Sequence, residues 1–184
     1  YAAILQENFG LDDQQRAHLH IDRALIFADR LADLPRGREA AEQALAMAPD
    51  SPEAIDLMER ILERQGAWLD LAEFYRNRAD FDADEGQKRI WYEQLATLYE
   101  DVLNDVDATV DVYAQLLELV PGEEEYRRAM ERILGAVGRW YDLADIYRQR
   151  IAAALDPDVV LENKFALAQL LEGELDSPFE AIEL

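Results

Sequence analysis

The sequence predicts an all-α solenoid built from about two and a half copies of a 72-residue, four-helix unit. Three observations predict it. Slid 72 places along itself, the chain meets its own pattern without a gap: Met58-Glu59-Arg60-Ile61-Leu62 returns as Met130-Glu131-Arg132-Ile133-Leu134, and Gly66-x-Trp68-x-Asp70-Leu71-Ala72 returns as Gly138-x-Trp140-x-Asp142-Leu143-Ala144. About a third of the positions from Glu53 to Val112 are identical to their partners. Apolar residues recur at spacings of three and four, the period of one helix face, and 8 Gly and 6 Pro in 184 residues leave long uninterrupted stretches.

The same offset reaches back to Ala24, Leu31, Gln43 and Leu45 and forward to Leu167-Ala168-x-Leu170. Residues 53–65 and 68–79 read as the last two helices of the first copy. In the second copy, residues 87–103 place Trp91, Leu95, Leu98, Tyr99 and Val102 on one face. Residues 107–120 do so with Val110, Tyr113, Leu116, Leu117 and Val120, and residues 123–136 with Tyr126, Met130, Ile133 and Leu134. Residues 140–154 do so with Trp140, Leu143, Ala144, Tyr147 and Ile151.

Start and stop signals agree with these bounds. Ser51-Pro52 and Asp156-Pro157 put a capping residue before a proline at the first helical position, where a missing N–H costs nothing. Ser177-Pro178-Phe179-Glu180 adds a glutamate spaced for a capping box. Gly66, Gly122 and Gly138 fall in tight connections where a positive φ is expected. Trp68 and Trp140 are expected to wedge between hairpins, and Ala24, Ala72, Ala96, Ala144 and Ala168 to mark close helix approaches. No linker or low-complexity tract divides the chain, so residues 1–184 read as one helical-repeat domain. A start at Tyr1 and a stop at Leu184 within a helical pattern suggest a piece of a longer array.

The charge balance is acidic: 40 Asp+Glu against 18 Lys+Arg, a net −22. Nucleic acid and anionic lipid need cationic patches, so neither is an expected partner. No apolar run approaches the roughly 20 residues that span a bilayer. With no cysteine there is no thiol nucleophile or thiolate metal site.

The hairpins resemble the tetratricopeptide repeat, two antiparallel helices in about 34 residues. Tyr92, Leu95, Ala96, Tyr99, Ala108, Tyr113 and Pro121 follow that family's order of large, apolar, small and aromatic positions, with one extra residue before Pro121. Ala24, Phe27 and Pro49 give an earlier, degenerate version, and Gly66-x-Trp68 and Gly138-x-Trp140 resemble its Gly-x-aromatic turn. The 72-residue unit is similar to long tandem arrays in large bacterial proteins, and its alternate hairpins also fit other α-solenoids. The resemblance implies a right-handed superhelix whose first helices line a concave groove for a protein or peptide. On that reading the groove is walled by His18, Ile21, Asp22 and Asp29, then Asp56, Arg60, Glu63 and Arg64. Glu93, Thr97, Glu100 and Asp101 follow, then Arg128 and Arg132, and last Phe165 and Gln169. The wall leans acidic, which suits a basic segment. It lacks the clustered Lys and Asn with which the family grips carboxylates.

Catalytic constellations are missing. His18 and His20 point about 200° apart on a helix and cannot share an ion from one face. Asp80-x-Asp82-x-Asp84 opens like a calcium loop, but Glu85 stands where the turn needs Gly and Trp91 where the bidentate Glu belongs. Glu123-Glu124-Glu125 suits the first turn of a helix, where the dipole favours carboxylates. The chain is therefore expected to be a non-catalytic interaction scaffold with neither cofactor nor metal. The alternatives are a structural spacer that self-associates end to end through Ala181, Ile182 and Leu184, and a regulatory array joined to an enzyme outside this chain.

Overall fold

The computed structural model describes residues 11–184, which form helices joined by short turns, with no strand among the described residues. In chain order these are α1 (Asp13–Leu25), α2 (Leu34–Met47), α3 (Pro52–Gln65), α4 (Trp68–Phe81), α5 (Glu85–Thr97), α6 (Val106–Leu119), α7 (Glu124–Ala136), α8 (Trp140–Ala153), α9 (Pro157–Gly173) and α10 (Pro178–Glu183). Short π-helical segments, Ile26–Arg30 and Leu98–Leu103, continue α1 and α5. The chain falls into two compact units divided between Arg78 and Ala79.

In the first unit α1 packs on α2 and both meet α3; in the second, α5 through α10 each pack on the next. The first unit buries Ala24, Ala40, Ala44, Ile61, Leu62 and Leu71. The second has a cluster of Leu134, Leu143, Ala144, Tyr147, Leu167, Leu170 and Leu171, with Val110, Trp140 and Ala181 packed against it. Burying each leucine contributes about 1.5–3 kcal/mol. Such hairpins cannot cover their own stripes, and stacking on the next does.

The backbone repeats as faithfully as the sequence. The two π segments lie 72 residues apart. Each is followed within two residues by a non-glycine residue with left-handed φ, Ala32 (53°) and Asn104 (52°), and Asp176 (48°) holds the third such position. The closing bonds also recur. The N–H of Asp33 donates to Phe27 O at 2.8 Å, that of Asp105 to Tyr99 O at 3.0 Å, and that of Ser177 to Leu171 O at 2.8 Å. One extra residue is thus accommodated in the first two copies by a widened last turn. Gly66 and Gly138 sit at φ 65° and 70°, as their turns predict.

Several local expectations are corrected. The helix expected over 87–103 begins at Glu85 and turns π-helical at Leu98, and the altered register leaves Val102 exposed instead of on the apolar face. Gly122 lies in a turn without a positive φ. Ser177 makes no capping box, because its hydroxyl donates back to Leu175 O at 3.2 Å. Ala168 is only half-buried, whereas Ala24, Ala72, Ala96 and Ala144 are buried. Ser51 and Asp156 do cap, accepting from the N–H groups of Ala54 and Asp158. Trp140 lies against Gly135, where an added Cβ would meet its ring at 3.2 Å. Ile182 and Leu184 are exposed on and after α10.

Candidate partner-binding cleft

In the second unit, α5, α6 and α7 enclose an open cleft of about 570 Å³ lined by Glu93, Thr97, Tyr113, Glu125, Tyr126, Arg128, Ala129 and Arg132. Glu93 and Thr97 lie four apart on α5, and Glu125, Arg128, Ala129 and Arg132 follow at three and four on α7, so each helix offers one face. Four of the expected groove residues, Glu93, Thr97, Arg128 and Arg132, therefore come together in one place.

Its floor is a polar network fixed by tyrosines. The Tyr126 hydroxyl donates to Glu93, and Arg89 Nε donates to the same carboxylate at 2.9 Å. The Arg89 guanidinium lies 5.4 Å from the centre of the Tyr126 ring, a cation–π contact. Burial alone would raise the Glu93 carboxyl, but the bonds from Tyr126 and Arg89 outweigh it and hold the group below its ordinary value. Tyr126 is pushed up, by burial first and then by Glu93.

Glu100, on the π segment, accepts from Arg132 Nη2 at 2.6 Å and from the Tyr113 hydroxyl at 3.3 Å. Burial and then the Glu100 charge push the Tyr113 hydroxyl up to about 12. Thr97 turns its hydroxyl back to Glu93 O at 3.0 Å. Asp101, Glu125 and Arg128 are exposed around this floor.

The first unit holds the rest of the expected set differently. Arg64 Nη1 donates to Asp29 Oδ1 at 2.8 Å and its Nη2 to Ala28 O at 2.9 Å, while Arg60 Nη2 reaches Asp29 Oδ2 at 3.4 Å. Arg60 and Arg132 are repeat counterparts, and each reaches a carboxylate on the π segment one hairpin earlier. Asp56 and Glu63 flank Glu59, whose carboxyl is raised by burial first and then by those two charges. Asp22 is half-buried on α1, and of the last pair Phe165 and Gln169 are exposed on α9.

The sequence missed Tyr113, Tyr126, Glu125 and Ala129 as lining residues, because helical spacing assigned both tyrosines wholly to the core. The signal was their hydroxyls, since a buried tyrosine needs a hydrogen-bond partner. His20 is buried on α1. Burial, and then Arg23, lower its pKa. The Asp80–Asp84 loop uses its carboxylates locally. Asp80 accepts from the Tyr92 hydroxyl at 2.9 Å, Asp82 from Trp91 Nε1 at 3.3 Å, and Asp84 from the Gln87 N–H at 2.8 Å as the cap of α5. Among the described residues no group of three His, Asp or Glu is placed to hold a metal ion, and no helix is long and apolar enough to cross a membrane.

No family model matches the chain, and no curated protein matches it. Among solved structures, a tetratricopeptide repeat protein from Parabacteroides merdae is similar with a TM-score of 0.47 and 17% identity, over 92% of this chain and 65% of that one. The chain thus spans less than two thirds of that protein. The hairpins within each unit fit the tetratricopeptide-like pattern of the sequence.

Proposed function

We propose that the chain is a non-catalytic protein-interaction module that holds a basic peptide or helix in the cleft between α5, α6 and α7. The observation that supports this most directly is the pre-ordered floor: Glu93 and Glu100 are each held in place by an arginine and a tyrosine, Arg89 with Tyr126 and Arg132 with Tyr113. A partner need not order these side chains, which lowers the entropic cost of binding. Around the floor, Asp101 and Glu125 offer carboxylates to Lys or Arg, and the net charge steers basic segments toward the surface. In the first unit we propose Asp22, Asp56, Arg60, Glu63 and Arg64 as a binding face of that unit's own.

Reversing Glu93 or Glu100 would also break the packing of Tyr126 or Arg132. The informative variant is therefore Asp101→Lys with Glu125→Lys, both on exposed positions. Titrated by fluorescence anisotropy with a Lys/Arg-rich helical peptide at low salt, it should bind at least about tenfold more weakly than the parent. Its circular dichroism should be unchanged. Affinity equal to the parent, or a parent that prefers a Glu-rich peptide, would sink the assignment.

A further inference from the structure

A second cleft occurs in both copies and differs in its chemistry. In the first unit, Leu45, Met58, Phe74 and Asn77 line a cavity of about 450 Å³ between α2, α3 and α4. Arg38 crosses its rim, paired with Glu42 at 2.9 Å and with Asp70. The counterparts of the four lining residues, Leu117, Met130, Ile146 and Gln149, line a cavity of about 360 Å³ in the second unit. There the Arg38–Glu42 pair is gone: Val110 replaces Arg38 and Ala114 replaces Glu42, while Asp142 keeps the place of Asp70. The cavity extends to Pro121, Ala153, Val159 and Arg150.

Arg150, which lines the second cavity, has a repeat counterpart in Arg78, and the pair shows what the second copy lacks. In the first, Arg78 Nη1 donates to Pro49 O at 2.6 Å and its Nη2 lies 3.6 Å from the Asp50 carboxylate. The counterparts are Arg150, Pro121 and Gly122, so the repeat has lost its carboxylate. Arg150 Nη1 is buried and has no hydrogen-bond partner among the described residues. Glu131 and Glu162 act on Arg150 through their charge without a hydrogen bond to Nη1, Glu131 being engaged by the Tyr147 hydroxyl, and Arg127, paired with Glu124, adds repulsion. Burial, and then Arg127, weaken the hold of Arg150 on its proton. A buried guanidinium N–H left without an acceptor is costly, and a charge-assisted bond to a carboxylate relieves that cost.

We propose that this cleft, between α6, α7, α8 and the start of α9, binds a small monocarboxylate with an apolar tail. The carboxylate takes the place on Arg150 that Asp50 occupies on Arg78, and the tail lies along Leu117, Ile146 and Val159. The volume lies at the small end of ligand pockets, whose usual make-up is apolar walls with one or two placed polar groups. Glu118, at the rim, opposes a second negative charge on the ligand and disfavours phosphates and dicarboxylates. This site is separate from the proposed peptide cleft and shares no lining residue with it.

The test is a titration of the full chain with octanoate, followed by NMR shifts of the methyl groups of Leu117, Ile146 and Val159. Octanamide, which is uncharged, serves as the control. Saturable shifts with octanoate, and at least about tenfold weaker binding of octanamide, are expected. Gly122→Asp restores the lost carboxylate while leaving Arg150 in place, and an added Cβ at Gly122 meets nothing within 4 Å. That variant should lose at least about tenfold in octanoate affinity, as should Arg150→Met, with circular dichroism unchanged. Equal affinity for octanoate and octanamide, unchanged affinity in Gly122→Asp, or no saturable shift up to about 10 mM would each overturn the proposal.

Discussion

The two copies of the repeat share a backbone and differ in what they do with it. Both have the π-helical ending, the left-handed residue after it, the capping aspartate (Asp33 and Asp105) and the glycine turn, each 72 residues apart. Side chains facing the clefts diverge: Arg38, Glu42 and Asp50 in the first copy stand where Val110, Ala114 and Gly122 stand in the second. Geometry is thus held by stacking, which every copy must satisfy to bury its stripe, whereas the rims are open to change because solvent tolerates either choice. A repeat of this kind carries its own control, since each residue can be compared with one in the same backbone setting.

The strongest challenge to that equivalence lies in the core. Leu62 and Leu134 are counterparts and both are almost fully buried. Leu62→Ala and Leu134→Ala should each cost about 2–5 kcal/mol, measured by chemical denaturation of its own unit with a local probe. A cost below about 1 kcal/mol for either would mean that the two hairpins are not packed alike.

The turns give a smaller and more discriminating effect. Ala32 and Asn104 have the same left-handed φ, but only Asn tolerates it through local hydrogen bonding, and Asn104 Nδ2 donates to Val102 O at 3.3 Å. Ala32→Gly should stabilise by about 0.5–1 kcal/mol and Asn104→Gly by less. Gly66→Ala and Gly138→Ala should each cost about 1 kcal/mol, in thermal melts of the single variants. Equal gains at Ala32 and Asn104 would remove the side chain from the explanation.

What the sequence made legible follows the same division. Helix existence, the glycine turns and the stacking stripes came from identities at a fixed offset, because packing forces those residues to recur. The π segments did not, since the extra residue in Ile26–Arg30 and Leu98–Leu103 leaves no type of its own in the sequence and shows only in the fate of Val102. Of the binding cleft, the exposed α5 and α7 positions were legible from helical spacing. Tyr113 and Tyr126 were not, because an apolar body with a polar tip satisfies the core and the cleft together. Arg150 was hidden for another reason: its identity repeats, and only its lost partner at Gly122 distinguishes it from Arg78.

The smallest effect is a pH dependence in the first copy. Glu59 and Glu131 are counterparts, each hydrogen-bonded to a tyrosine, Tyr75 and Tyr147. Asp56 and Glu63 crowd Glu59, but their counterparts are Arg128 and Gly135. The Glu59 carboxyl is raised by burial first and then by those two charges. A raised carboxyl binds its proton more tightly in the folded state. Its contribution to stability is therefore fully present below the unfolded value of 4.5 and is lost as pH rises through the folded one. Glu59→Gln keeps an acceptor for Tyr75 and removes the charge, so at pH 7 it should be more stable than the parent, within about 1 kcal/mol. That gain should vanish below about pH 4, where the parent is protonated too. Glu131→Gln removes a charge that faces Arg127 and Arg150 and should bring no gain at pH 7. Melting curves of both variants from pH 4 to 7 measure the difference, and a gain of the same size in both copies would show that burial alone, without Asp56 and Glu63, sets the behaviour of Glu59.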